Sequence, residues 1–338
     1  MAGALRAPLR VPRAKAAAAP ARPDSPPQPL ALDAISPAGT RLILFGGKGG
    51  VGKTTAAAAC ALSIAAGGRG VLLLSTDPAH SLGDVLGLPV GDTEREVQPR
   101  LFARELDAAR AFGERRERYR AAVEELFASL RGGAAIDAPY DRAVMNDLID
   151  LAPPGLDELF ALLAVIDALQ RHQVVVVDTA PTGHALRLLE LVRKAREWVQ
   201  ALMRIQLKYR RVTGLGELAK DLTGTARELR GLDQLLKDEV RARFIAVTRA
   251  AALPRLETAR LLRALRRLRI ATPAVLVNAL TPRGCSLCTR AAAAEEKEIG
   301  ALRRIRGRWA MLGAPRIAPA PRGPAALARF GRTWTRME

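Results

Sequence analysis

A ten-residue run, GGKGGVGKTT at Gly46–Thr55, constrains this chain more than any other feature. Within it Gly47–Thr54 fits the spacing G-x-x-x-x-G-K-[ST], with Gly47, Gly52, Lys53 and Thr54 at the fixed positions. A short apolar run, RLILF (Arg41–Phe45), precedes it, and an alanine-rich helical pattern, Thr54–Ala66, follows. Strand, loop and helix in that order give the spacing its mechanism. Glycines let the backbone wrap closely, so the N–H groups of Gly47, Gly49, Gly50, Val51 and Gly52 can converge on phosphate oxygens. The helix that follows directs its positive end at the same anion. Lys53 is expected to reach the β- and γ-phosphates, Thr54 to ligate Mg²⁺ and Thr55 to support the α-phosphate, with ATP as the nucleotide.

Further short apolar runs without alternation follow: Val71–Ser75, Val174–Asp178, Phe244–Thr248 and Ala274–Asn278. Strands covered on both faces read this way. Helical patterns lie between them, at Leu101–Leu130, Leu156–Arg171 and Ala185–Arg211. The expected fold is α/β: a P-loop NTPase with a mostly parallel, doubly wound sheet, helices on both faces and an inserted helical arm at about 185–240. Residues 1–39, rich in Pro and Ala with no apolar period, predict a disordered basic leader, and residues 40–338 a single ATPase domain. No secretory core, no stretch long enough to cross a bilayer and only three cysteines lead to the expectation of a soluble, cytoplasmic protein.

Two loops after strands carry acids: STDPAHSLGDVLG (Ser75–Gly87) and DTAPTGHALRLL (Asp178–Leu189). Open α/β sheets bind ligands at such positions. Asp77 can orient or deprotonate an attacking water, and Asp178 can hold Mg²⁺ directly or through water. His80 and His184 lie in the same loops, where loop hydrogen bonding and catalysis remain alternative roles.

With KGGVGKTT, STDPAHSL and DTAPTGHALRLL together, the sequence resembles the arsenite-pump ATPase family, which includes the targeting ATPase for tail-anchored membrane proteins. The resemblance runs from about Arg41 to Gly331. Partition and septum-placement ATPases share only the first motif. The resemblance implies that Lys48 is a signature lysine reaching across a nucleotide-sandwich homodimer. It also implies that Asp77 positions the hydrolytic water, and that the loop from Asp178 to His184 senses the γ-phosphate. By the same resemblance Asn278 reads the adenine edge and Pro315 lies beside the base, although PRIAPAPRG lacks the family's usual acidic residue before its Arg-Gly.

Cys285 and Cys288 form C-S-L-C, half of a tetrahedral zinc site. The resemblance implies that a homodimer completes it as Cys₄; a reduced pair and a redox dithiol stay open as alternatives. Cys60 reads as a small core residue. The cargo is not written in the motifs. Arsenite favours three thiolates, and hydrophobic clients favour a methionine-rich groove, whereas only Met203 lies in the arm. A non-hydrolysing, nucleotide-gated scaffold is the remaining alternative, and Asp77 argues against it.

The net charge of +19 is unevenly distributed. Residues 1–184 carry −1 and residues 185–338 carry +20. With 45 Arg against 8 Lys, part of this reflects composition bias. Leu191, Ala195, Trp198, Leu202, Ile205 and Tyr209 make an apolar stripe, opposed by Arg193, Arg196, Gln200, Arg204, Lys208 and Arg211. Such a helix can meet an anionic membrane surface or an acidic partner, or simply pack on its own core. Only 4% aromatic residues disfavour a base-stacking nucleic-acid binder.

Overall fold

The computed structural model describes residues 34–77, 81–107, 156–180, 217–305 and 307–337, with isolated positions 117, 121, 192, 194–197, 199–201, 203 and 204. His80, His184, nearly all of the leader and much of the 185–216 stretch lie outside the described residues.

The apolar runs form strands because side chains alternate between faces and both faces are covered. In β1 (Leu42–Gly46), Ile43 and Phe45 enter one core cluster while Leu42 and Leu44 enter the other. The same split holds in β2 (Val71–Ser75) and β5 (Val174–Asp178). With β3 (Arg95–Gln98), β4 (Leu101–Glu105), β6 (Ala242–Arg249), β7 (Ala274–Leu280), β8 (Ala310–Pro315) and β9 (Thr335–Arg336), they make a nine-stranded sheet ordered β3-β4-β2-β5-β1-β6-β7-β8-β9. The seven inner strands pair in parallel; β3 and β9 close the two edges antiparallel. This is the expected mostly parallel α/β sheet.

One face is covered by α1 (Lys53–Ala66), α2 (Leu82–Leu86) and α7 (Gly323–Arg332). The other is covered by α3 (Leu156–Arg171), α4 (Glu217–Leu236), α5 (Ala252–Arg267) and α6 (Ser286–Arg303). The alanines of α1 are almost wholly buried, which lets α7 approach so closely that Gly331 lies against Ala59.

One expected element is corrected. Leu101–Glu105 is a strand, not the start of a helix running to Leu130. Its buried and half-buried side chains alternate, and it pairs in parallel with β2, so ladder bonds and a two-residue period override its helical composition. The remainder of that predicted helix lies almost wholly outside the described residues.

In the arm, Leu232, Leu235 and Leu236 of α4 join the core cluster beneath α3 and β6. Among the described positions of 192–204, Ala195 is buried and Gln200 and Arg204 are exposed, as the stripe predicts. Val192 and Val199 are buried as well, and Arg196 faces Asp233 at 3.6 Å. No described helix is long and apolar enough to cross a membrane.

Candidate functional site

The loop Gly47–Gly52 leaves the carboxyl end of β1, between β5 and β6, and runs into α1. Two glycines are dictated by close approach. A Cβ on Gly47 would run into the Val247 carbonyl oxygen, and one on Gly52, at φ +94°, into the Asn278 amide. Gly52 caps α1 without a side-chain acceptor, and no acid stands in the first turn. The first-turn amides therefore remain for an anion.

Register builds the rest. The last residues of β4, β2 and β5, Glu105, Ser75 and Asp178, align with Phe45, the penultimate residue of β1. All four share the parity of the residues that face α1. Asp178 is fully buried, and neither carboxylate oxygen has a hydrogen-bond partner among the described residues. Burial pushes its carboxyl up to about 7; the Thr54 hydroxyl and the Lys53 charge oppose that shift, and Asp77 and Glu105 add to it. Lys53 is itself buried, and Thr54 Oγ1 lies 3.2 Å from Ser81 Oγ. A buried carboxylate with no hydrogen-bond partner among the described residues, beside the Thr54 hydroxyl, offers oxygens of the kind a hard divalent cation takes together with substrate phosphates, although no cluster of three ligating side chains forms among the described residues.

Asp77 follows β2, half-buried, with its backbone N–H donating to Ser75 Oγ at 3.3 Å. Asn278 donates to the Val51 carbonyl oxygen at 2.8 Å, and its own Oδ1 accepts from Ala279 N–H at 2.8 Å. Ala279 stands at φ +57°, where the β7–β8 register shifts. That left-handed residue costs about 1–2 kcal/mol and turns Asn278 onto the loop. The amide keeps one N–H and acceptor capacity for a base. Pro315, half-buried, pairs in register with Leu280 at the same end of the sheet.

Lys48 does not point outward alone. Its Nζ lies 3.6 Å from Glu257 Oε1 on α5, and both side chains are about one-third exposed, at 32% and 29%. Such a pair contributes at most about 1 kcal/mol, so it exchanges readily for another anion.

Cys285 caps α6, and its sulfur accepts the Cys288 N–H at 3.3 Å. That backbone bond holds the Cys285 thiol below its usual range, while hydrogen bonding to Cys285 raises Cys288. Cys285 is exposed, and among the described residues no third metal-ligating side chain joins the pair. Cys60 is buried in α1, its thiol pushed up to about 12 by desolvation.

The structure thus brings Lys48, Lys53, Thr54, Asp77, Asp178, Asn278 and Pro315 to the carboxyl ends of the parallel strands, with the cysteines following β7. Sequence reasoning missed Ser81, Glu105 and Glu257. The only available signal was an acid ending a strand, and LFARE was not read as one.

Comparisons with known proteins place the chain in a family. The anion-transporting ATPase family matches residues 40–318. ATPase GET3 of Podospora anserina is 26% identical over 91% of this chain and 94% of its own length. ATPase GET3B of Arabidopsis thaliana is 30% identical over 85% and 77%. A protein of Aquifex aeolicus assigned as an arsenical pump-driving ATPase is 32% identical over 72% and 81%.

Proposed function

The chain belongs to the anion-transporting ATPase family, and from that premise we propose that it is a Mg²⁺-dependent ATP hydrolase working as a nucleotide-switched homodimer. The observation that supports this reading best is the fully buried Asp178 carboxylate, without a close hydrogen-bond partner among the described residues, beside Thr54 and Lys53 at the mouth of the glycine loop. Thr54 and Asp178 would hold the cation, which when bound neutralises charge on the transferring phosphoryl oxygens. The loop amides of Gly47, Gly49, Gly50, Val51 and Gly52 bind the phosphates, helped by the amide and hydroxyl of Thr55. Lys53 balances charge on the β- and γ-phosphates. Asp77 orients the water and accepts its proton. Asn278 and Pro315 bound the base.

Lys48 supplies the second cation. In one chain it rests on Glu257, a weak pair that a γ-phosphate on a partner subunit outcompetes. The test is sizing by light scattering with and without ATP and Mg²⁺, alongside release of inorganic phosphate. The wild-type chain is expected to dimerise and turn over, and excess chelator to stop turnover. Lys48→Ala is expected to retain ATP binding and lose both dimerisation and at least about 100-fold in kcat. A monomeric wild-type enzyme with full turnover would refute the switch.

Zinc belongs to the same proposal. The Cys285–Cys288 pair, with Cys285 exposed and its thiol held below its usual range by the Cys288 N–H, is half a site that a second copy completes. One zinc per two chains is expected in protein purified under reducing conditions, and none in Cys285→Ser/Cys288→Ser. A metal-free wild-type dimer would leave the pair a dithiol. Arsenite carriage by three thiols of one chain finds no support: Cys60 is sealed in α1, whereas Cys285 is exposed at the start of α6. Contact with a membrane partner or cargo is assigned to the 185–240 arm, where Lys194, Gln200 and Arg204 are exposed.

A further inference from the structure

We propose that Glu105 is a positioning residue for hydrolysis, tethering the start of α2 to the sheet and with it Ser81 against Thr54, four positions after Asp77. The inference rests on the ATPase reading above and concerns an acid given no role in it.

Glu105 ends β4, an unusual place to bury a carboxylate at 5% exposure. Its Oε1 accepts the Leu82 N–H at 2.6 Å and the Gly83 N–H at 3.4 Å. These are first-turn donors of α2, whose N-cap residue, Ser81, provides no side-chain cap. The tether comes instead from a neighbouring strand, 23 residues along the chain. It fixes Ser81, whose hydroxyl meets Thr54 at 3.2 Å. At the other end, Ser75 is locked opposite both Asp178 and Glu105 by strand register, and Leu106 N–H donates to Ser75 O at 3.0 Å. In sequence Asp77 falls between Ser75, fixed in the sheet, and Ser81, set against Thr54, and Glu105 secures the second of these. Its charge also acts on Asp178 and favours the neutral form there.

A water-orienting group displaced by about 1 Å loses about 100-fold in rate without losing substrate affinity. Glu105→Ala removes the acceptor. The expected result is kcat reduced about 10- to 100-fold, ATP affinity within about threefold, and at least about tenfold faster hydrogen exchange at the Leu82 and Gly83 amides. Glu105→Gln keeps an acceptor oxygen and loses the charge. It is expected to hold kcat within about threefold of wild type and to keep the Leu82 and Gly83 amides within about threefold of their wild-type exchange. The Gln variant guards against a simple folding defect.

Glu105→Ala with wild-type kcat, or Gln as damaging as Ala, would overturn the proposal. Faster exchange with unchanged kcat would do the same, reducing Glu105 to a helix cap. Should the wild-type chain fail to hydrolyse ATP, the ATPase reading falls separately. Exchange at Leu82 and Gly83 in nucleotide-free protein then still decides the tether, and unchanged exchange in Glu105→Ala overturns it.

Discussion

Asp77→Asn is expected to lower kcat for ATP hydrolysis about 10²- to 10⁴-fold while leaving ATP affinity within about threefold of wild type. The range is that of a positioned general base or water-orienting acid. The replacement is nearly isosteric, and the glycine loop and Lys53, to which phosphate binding is assigned above, are not altered. What Asn lacks is a carboxylate to take the proton and to attract the water. Asp77 is near enough to Asp178 for its charge to raise that carboxyl, so the same change is expected to lower the Asp178 pKa. Single-turnover hydrolysis and equilibrium binding of labelled ATP separate the two effects. Turnover within tenfold of wild type would remove Asp77 from the water-orienting role, and loss of binding would make it a phosphate ligand instead.

The residues legible in the sequence share one property: local backbone demands a particular residue type. Gly47 and Gly52 are readable because no Cβ fits there, and the spacing to Lys53 and Thr54 is set by a single turn of loop. Asp178 is readable because a second acid-bearing loop after a strand, beside the glycine loop, points to chemistry where a lone acid would read as a helix cap. Strands covered on both faces are readable as unbroken apolar runs. Partnerships made only by the fold were not readable. Lys48 and Glu257 meet across 209 positions of sequence, and nothing in either neighbourhood marks the other. Glu105 was hidden because Leu-Phe-Ala-Arg-Glu has helical composition, and its strand state depends on a ladder with β2. The edge strands β3 and β9 are short and largely exposed, so neither presents an apolar run. For Asn278 the sequence offered only the resemblance, which implies an amide that reads the base. Its grip on Val51 depends on the left-handed Ala279, which a sequence does not announce.

Asp178→Asn is expected to inactivate the enzyme and, without nucleotide, to stabilise the fold. The carboxyl is fully buried and unpartnered among the described residues, and its pKa is raised from 3.8 to about 7. An acid raised in the folded state binds protons there that the unfolded chain has released. Stability therefore falls as pH rises from about 4 to about 7, and the full penalty is present above that range. Three units correspond to about 4 kcal/mol at pH 8. Asparagine removes the charge but leaves a buried amide that costs about 1–3 kcal/mol when unsatisfied. The net expectation is a gain of about 1–3 kcal/mol at pH 8, raising the melting temperature by several degrees, and no gain near pH 4. Mg²⁺ with ATP reverses the comparison. Wild type gains stability by binding, whereas the variant loses the ligand that holds the cation, and kcat falls by about 100-fold or more. Thermal unfolding from pH 4 to 8, with and without Mg²⁺ and ATP, reads both halves at once. A variant with wild-type pH dependence would mean that Asp178 is satisfied in the apo protein and is not kept strained for a cation. If that dependence vanishes in the variant while hydrolysis persists, the acid is a buried liability with no catalytic return.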